Sequence, residues 1–173
     1  MNHKKTFRAF FFDRDGVLNH DFGYVYKFKD FKWMKGSLLA LKFLMKKKYK
    51  IFIVTNQSGI ARGFFKKKDF LILNKRIKKF LKKKKIIISK IEYCPHHPTQ
   101  GIGIYKKNCK CRKPGNLMIK NIFKKWNINK KESFMVGNNK SDKDCAKSSN
   151  INFFYRQDNL YKQIKNIIEN KIC

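Results

Sequence analysis

No run of this 173-residue chain approaches the roughly 18 consecutive apolar residues of a membrane-spanning helix, so no span is expected. The apolar stretch from Phe7 to Phe12, broken by Arg8, is too short for a secretory signal and runs into acidic residues. There is no internal repeat, and nothing marks a second domain. A single domain over residues 1–173 is expected, long enough to enclose a sizeable core. The cysteines are five, an odd number, which argues against a disulfide framework in a chain read as cytoplasmic.

Acidic side chains are scarce as well. Eleven Asp and Glu stand against 43 Lys and Arg, a net charge of +32. Such a balance usually points to nucleic acid. Here the basic residues are nearly all lysine, with arginine only at 8, 14, 62, 76, 112 and 156. They are spread along the chain rather than gathered in one segment. Asn, Ile and Phe are abundant too, a combination that an AT-rich coding sequence would produce on its own. The longest lysine run, Lys82-Lys83-Lys84-Lys85, lies between an amphipathic stretch and a strand and reads as a solvated connector. No specific nucleic-acid partner is expected, only weak, salt-sensitive attraction to polyanions.

What is present is an alternation of short apolar runs and helical patterns. Strands are expected at 7–12, 51–55, 86–93, 133–136 and 151–155. Leu38, Leu41, Leu44 and Met45 recur at helical spacing, as do Phe70, Leu73, Ile77, Phe80 and Leu81. Pro114 is placed near the first turn of a third helix carrying Leu117, Met118, Ile122 and Phe123. A fourth helix starts near Ser141 or Asp142, and Leu160, Ile164, Ile167 and Ile168 mark a fifth. This order predicts an α/β fold with a parallel sheet. Ligands of such sheets sit at the carboxyl ends of strands, where Asp13, Thr55 and Gly137 fall.

The most informative run is Phe10-Phe11-Phe12-Asp13-Arg14-Asp15-Gly16. Residues i and i+2 of a strand point the same way, so Asp13 and Asp15 can converge where the strand ends. Paired carboxylates there suit Mg²⁺ binding or nucleophile-plus-acid chemistry. Thr55-Asn56-Gln57-Ser58 ends the second strand with hydroxyls and amides suited to phosphoryl oxygens. Arg112-Lys113 precedes the third helix, and two cations there make sense beside an anionic ligand. Asn138 to Asp142 would bring a further oxygen ligand toward Asp13 and Asp15.

Cys94-Pro95-His96-His97-Pro98 and Cys109-Lys110-Cys111 have the composition of a tetrahedral Zn²⁺ site. Four protein ligands leave no open position, so a structural zinc would pin the polar loop from Thr99 to Asn108. His97 is the alternative to His96; the spacing favours Cys94, His96, Cys109 and Cys111. Cys145 reads as a small buried residue. Cys173 is uninformative, and His3 and His20 show no partner in the sequence.

These motifs resemble the haloacid-dehalogenase-like (HAD) phosphohydrolases. The set Asp13–Asn19, Asp21–Val25, Thr55–Gly63, Cys94–Pro98 and Cys109–Pro114, in that order, resembles the heptose-bisphosphate phosphatase family within them. The resemblance runs from about residue 7 to 155. It implies a three-layer, Rossmann-like parallel sheet with no large cap domain and a zinc-stabilised loop. It implies removal of the 7-phosphate from a heptose 1,7-bisphosphate in lipopolysaccharide precursor synthesis. Asp13 would be the nucleophile and Asp15 the acid and then the base. Thr55 and Lys113 would hold the phosphoryl oxygens. Mg²⁺ would be bound by Asp13, the Asp15 backbone carbonyl and Asn138. Asp21, Phe22, Gly23, Tyr24, Asn56, Gln57, Ser58, Arg112 and Asn139 would line the sugar bisphosphate, with a monomer expected. One departure is visible: Asn138 and Asn139 stand where the family usually has Asp and Lys. Asn138 keeps a carbonyl oxygen but no charge, with Lys140 and Asp142 close behind. The rival readings are a histidinol-phosphate phosphatase, and a weakly active or non-catalytic sugar-phosphate binder.

Overall fold

The computed structural model describes residues 5–170; His3 and Cys173 lie outside them. Five parallel strands form one sheet: β1 (Ala9–Phe12), β2 (Lys50–Asn56), β3 (Lys90–Cys94), β4 (Phe134–Gly137) and β5 (Asn152–Tyr155), in the order β3-β2-β1-β4-β5. Helices α1 (Ser37–Lys46), α2 (Ser58–Ala61), α3 (Lys67–Lys83), α4 (Leu117–Lys125), α5 (Lys140–Lys147) and α6 (Leu160–Glu169) connect and flank the strands. The chain steps outward from β1 to β3, then returns past β1 to β4. The strand order therefore reverses between β1 and β4, where open α/β sheets bind ligands.

The three layers follow from the alternation of side chains along each strand. Phe10 and Phe12 of β1, with Ile51, Ile53, Phe134 and Val136, face α1, α3 and α6. Ala9 and Phe11, with Phe52, Val54 and Met135, face α4 and α5. Every residue of β1 is completely buried. Burial on both faces explains why β1 reads as an uninterrupted apolar run.

The structure departs from the sequence expectations in several places: the first strand begins at Ala9 rather than 7, and the short helix α2 was not expected. The third strand begins at Lys90 rather than 86. Ile86 and Ile88 are buried in the core with Ile87 exposed between them, but this stretch alternates without strand pairing. The lysine run is not all connector: Lys82 and Lys83 form the last turn of α3, where cations oppose the helix dipole favourably. Pro114 does not open α4. The helix starts at Leu117, and Pro114 belongs to the turn before it.

Phe11 stacks on Phe52 with centroids 5.1 Å apart and meets Phe123 edge-on at 6.1 Å. Phe11→Ala should cost about 3–5 kcal/mol, as large-to-small aromatic substitutions in a core do. Urea unfolding should show this as a lower midpoint with an unchanged slope.

Candidate active site

The ends of β1, β2 and β4 converge on a cavity of about 500 Å³. Asp13, Asp15, Asp21, Gly23, Tyr24, Thr55, Asn56, Gln57, Ser58, Arg112, Lys113 and Asn139 line it, joined by Gly59, Ser141 and Asp142. The strands that end here hold Asp13 and Thr55 with almost no exposure. Two expected residues are not among this lining. Phe22 turns outward, 65% exposed, and stacks on His20. The turn that follows it explains this. Asp21 Oδ1 accepts from the Gly23 N–H, and Gly23 and Tyr24 both have positive φ, which swings Tyr24 in and leaves Phe22 out. Asn138 is exposed at the rim, its side chain lying across Gly16. Gly16 has φ +77°, and a Cβ there would run into the Asn138 amide.

At the floor, the Lys113 ammonium meets three acceptors: Asp13 Oδ1 at 2.9 Å, Asp142 Oδ1 at 2.6 Å and the Val54 carbonyl at 2.9 Å. Lys113 and Asp142 are both almost wholly buried. Burial alone would lower the lysine pKa, but the Asp13 and Asp142 carboxylates outweigh it and raise the value. Burial pushes Asp13 up to about 6 against the pull of Lys113, with Asp142 adding to the rise. Asp142 Oδ2 accepts the backbone N–H groups of Asn138 and Asn139, both at 3.0 Å, so it ties the β4–α5 turn to Lys113.

Asp15 sits among donors. Arg14 Nε lies 3.1 Å from both its oxygens, Asn19 Nδ2 donates to Oδ1 at 3.0 Å, and Gln57 Nε2 donates to Oδ2 at 2.8 Å. Arg14 is 1% exposed, donates also to the Val25 carbonyl, and stands over the Phe70 ring. Asn56 uses both ends of its amide on the Lys113 backbone, accepting from N at 3.0 Å and donating to O at 3.1 Å. It lines the cavity, yet its polar atoms hold Lys113 rather than face open space.

Beside the cavity, one ligand atom from each of Cys94, His96, Cys109 and Cys111 lies within 4.8 Å of the others. This Cys/His cluster could hold a metal ion. Burial lowers the His96 pKa and so favours the neutral imidazole that metals take. His97 is engaged elsewhere, its Nδ1 accepting from Gln100 N at 3.0 Å and Thr99 N at 3.3 Å. Arg112 Nη1 donates to the His96 carbonyl at 3.2 Å, which links the cluster to the cavity wall. Cys145 is fully buried on α5.

A family model described as polynucleotide kinase 3 phosphatase matches residues 8–168. The D-glycero-beta-D-manno-heptose-1,7-bisphosphate 7-phosphatase of Haemophilus influenzae is 43% identical over 135 residues, 78% of this chain and 73% of that protein. The D-glycero-alpha-D-manno-heptose-1,7-bisphosphate 7-phosphatase of Campylobacter jejuni is 35% identical over 168 residues, 94% of this chain and 92% of that protein. The chain belongs to the heptose-bisphosphate phosphatase family. It belongs equally to the broader phosphatase family that the model describes. The crystal structure of D,D-heptose 1,7-bisphosphate phosphatase from B. bronchiseptica, complexed with magnesium and phosphate, shares the fold with a TM-score of 0.82. It is 22% identical, and the match covers 94% of this chain and 99% of that one. The fold is the HAD-like α/β fold.

Sequence reasoning missed Arg14 and Asn19; Gln57 and Asn56 line the cavity as expected, and their amides are engaged by neighbouring residues that the sequence did not indicate. The signal for Arg14 was present: it is one of six arginines and stands between two aspartates. Its partner could not be read, because strict alternation would send Arg14 away from Asp15. The turn after Phe12 brings it back.

Removing the ammonium from this cluster leaves two buried carboxylates facing each other. Lys113→Met should therefore destabilise the fold by about 3–5 kcal/mol, the range for breaking a buried ion pair from one side. Thermal melts at neutral pH would measure the loss.

Proposed function

We propose that this member of the family removes the 7-phosphate of D-glycero-D-manno-heptose 1,7-bisphosphate through a phosphoryl-aspartate intermediate. The observation that carries the reading is the convergence of Asp13, Asp15, Thr55 and Lys113 in one cavity. The substrate class rests on the names of the relatives.

Asp13 attacks phosphorus with one carboxylate oxygen, and the sugar oxygen leaves. Asp15 gives that oxygen a proton. Water then attacks the phosphoryl-aspartate, Asp15 takes the water proton, and inorganic phosphate and Asp13 are released. The Thr55 hydroxyl and the Lys113 ammonium hold the phosphoryl oxygens. The Lys113 ammonium is surrounded by Asp13, Asp142 and the Val54 carbonyl, so a phosphoryl oxygen bound to it would compete with these partners. Tyr24 and Arg112 stand on the wall where the rest of the substrate would lie.

The residues fit a hard divalent cation. Four carboxylates line the cavity against two cations, Arg112 and Lys113. Mg²⁺ would be held by the Asp13 carboxylate and the Asp15 carbonyl, with the Asn138 side-chain oxygen as a third ligand once it turns in from the rim and leaves the Asn139 amide, from which it accepts at 2.8 Å. Bound there, it would offset the repulsion between the anionic nucleophile and the phosphoryl group. Zn²⁺ on Cys94, His96, Cys109 and Cys111 would be structural, since the protein fills all four positions. The free thiols suit a reducing compartment, and we read the protein as a cytoplasmic monomer.

Asp13→Ala should abolish phosphate release from the heptose bisphosphate in Mg²⁺. An unchanged rate would remove the nucleophile assignment, and faster release from histidinol phosphate would move the substrate.

Purified protein should carry one zinc per chain by metal analysis. Structural zinc contributes roughly 10–16 kcal/mol of apparent binding energy in small domains. Cys109→Ser should therefore loosen the loop that delivers Arg112 and Lys113, and phosphatase activity should fall with zinc content. A fully active, zinc-free protein would show that the cluster does not support the site.

A further inference from the structure

Gln57 is 4% exposed at the mouth of α2, and its side-chain amide stands between two groups of the proposed reaction. Nε2 is 2.8 Å from Asp15 Oδ2 and 2.9 Å from Thr55 Oγ1. The NH₂ end of the amide faces both groups, giving one proton to Asp15 Oδ2 and the other to Thr55 Oγ1. A hydroxyl that accepts from Gln57 keeps its own proton to donate elsewhere. Among the described residues no acceptor takes it, and Thr55 lines the cavity. The proton is therefore directed toward the place a phosphoryl oxygen would occupy.

The same amide fixes Asp15. Arg14 and Asn19 hold the carboxylate from one side; Gln57 holds Oδ2 from the β2 side. Arg14 also reaches Oδ2, from Nε at 3.1 Å and Nη2 at 2.8 Å, so Gln57 is the contact that holds this oxygen from the opposite, β2 side. The backbone of Gln57 is itself fixed, its N–H donating to the Cys94 carbonyl at 2.7 Å. The amide is thus carried on a rigid support beside the Cys/His cluster.

We infer that Gln57 is a positioning residue that aims Asp15 at the leaving oxygen and turns the Thr55 hydroxyl proton onto the phosphoryl group. This rests on the phosphatase reading above and deepens it. Gln57 acts through its two neighbours rather than as a ligand of the sugar.

The test separates the two arms of the amide. Single-turnover release of the alcohol is measured from a sugar phosphate, whose alkoxide needs a proton, and from p-nitrophenyl phosphate, whose phenolate does not. Gln57→Leu should slow the sugar ester by about 10²-fold or more, the lower range for losing general acid catalysis, while slowing the aryl ester far less. Competitive inhibition by inorganic phosphate reports the other arm. Gln57→Leu should weaken it about tenfold, the scale of one hydrogen bond to a charged group, in the wild-type background but not in Thr55→Val. Gln57→Met, of similar length and also without a donor, should behave alike and guards against a folding defect peculiar to leucine. Equal losses on the two esters, or phosphate inhibition weakened as much in Thr55→Val as in wild type, would overturn the inference. A wild-type protein that cleaves neither ester would overturn the phosphatase reading, and this inference with it.

Discussion

The buried Lys113 ammonium is the constraint on which the site depends. It draws one partner from the end of β1, one from β2 and one from α5. A charge in that position is tolerated only while each of those groups stays in place, because an unpaired buried ion costs several kcal/mol. The cluster therefore locks the mutual placement of three strand ends. Its backbone is held in turn by Asn56, and two residues before it stands Cys111. The loop carrying the Cys/His cluster is thus the arm that delivers the ammonium. Without a fixed arm the lysine would have to be ordered from a polar loop with little apolar surface to bury.

The sheet makes such a lock possible. β1 has strands on both sides and helices on both faces, so its four residues are completely buried. Asp13 follows directly, and its N–H continues the pairing to the Val136 carbonyl at 3.1 Å. The nucleophile of the proposed reaction is therefore placed by sheet hydrogen bonding rather than by a loop. Asp15 is three residues past the last strand residue and pairs only through an isolated bridge to Asn19, not with the sheet. Side chains do that work instead: Arg14, Asn19 and Gln57 surround its carboxylate. Ordered backbone on one aspartate and ordered side chains on the next follow from where the strand stops.

Much of this was legible from sequence because the informative signals were local. The five strands, the parallel order and the placement of Asp13 and Thr55 follow from apolar runs that end in polar residues. The Cys/His spacing identifies four residues whose ligand atoms the fold brings together. What could not be read were choices made by tertiary neighbours. Asn56 and Gln57 look like ligand-binding amides until the Lys113 backbone and the Asp15 carboxylate are seen to occupy them. Phe22 and Tyr24 sit two apart, yet the positive φ values at Gly23 and Tyr24 send them different ways. Pro114 suggested a helix start, whereas the chain first needs a turn that presents Lys113 to Asn56.

The charge of the chain and the charge of the site have opposite signs, and the two suit the proposed substrate together only with a further cation in the site. The protein carries +32 overall, a field that draws anions toward it from any direction. Yet four of its 11 acidic residues line one cavity that holds two cations. A bisphosphate steered to the surface would be repelled at the floor unless a further cation were present. Two charges of opposite sign about 4 Å apart attract by roughly 1 kcal/mol in water and about 4 kcal/mol at an effective dielectric of 20, and a divalent ion doubles each figure. The proposed Mg²⁺ would thus do more than organise oxygens; its two charges would cancel the excess of carboxylates that the incoming phosphate meets. Asn138 fits the same balance. As the proposed third ligand, a carboxamide there would supply an oxygen without adding a fifth carboxylate to a site where the positive charges are already outnumbered.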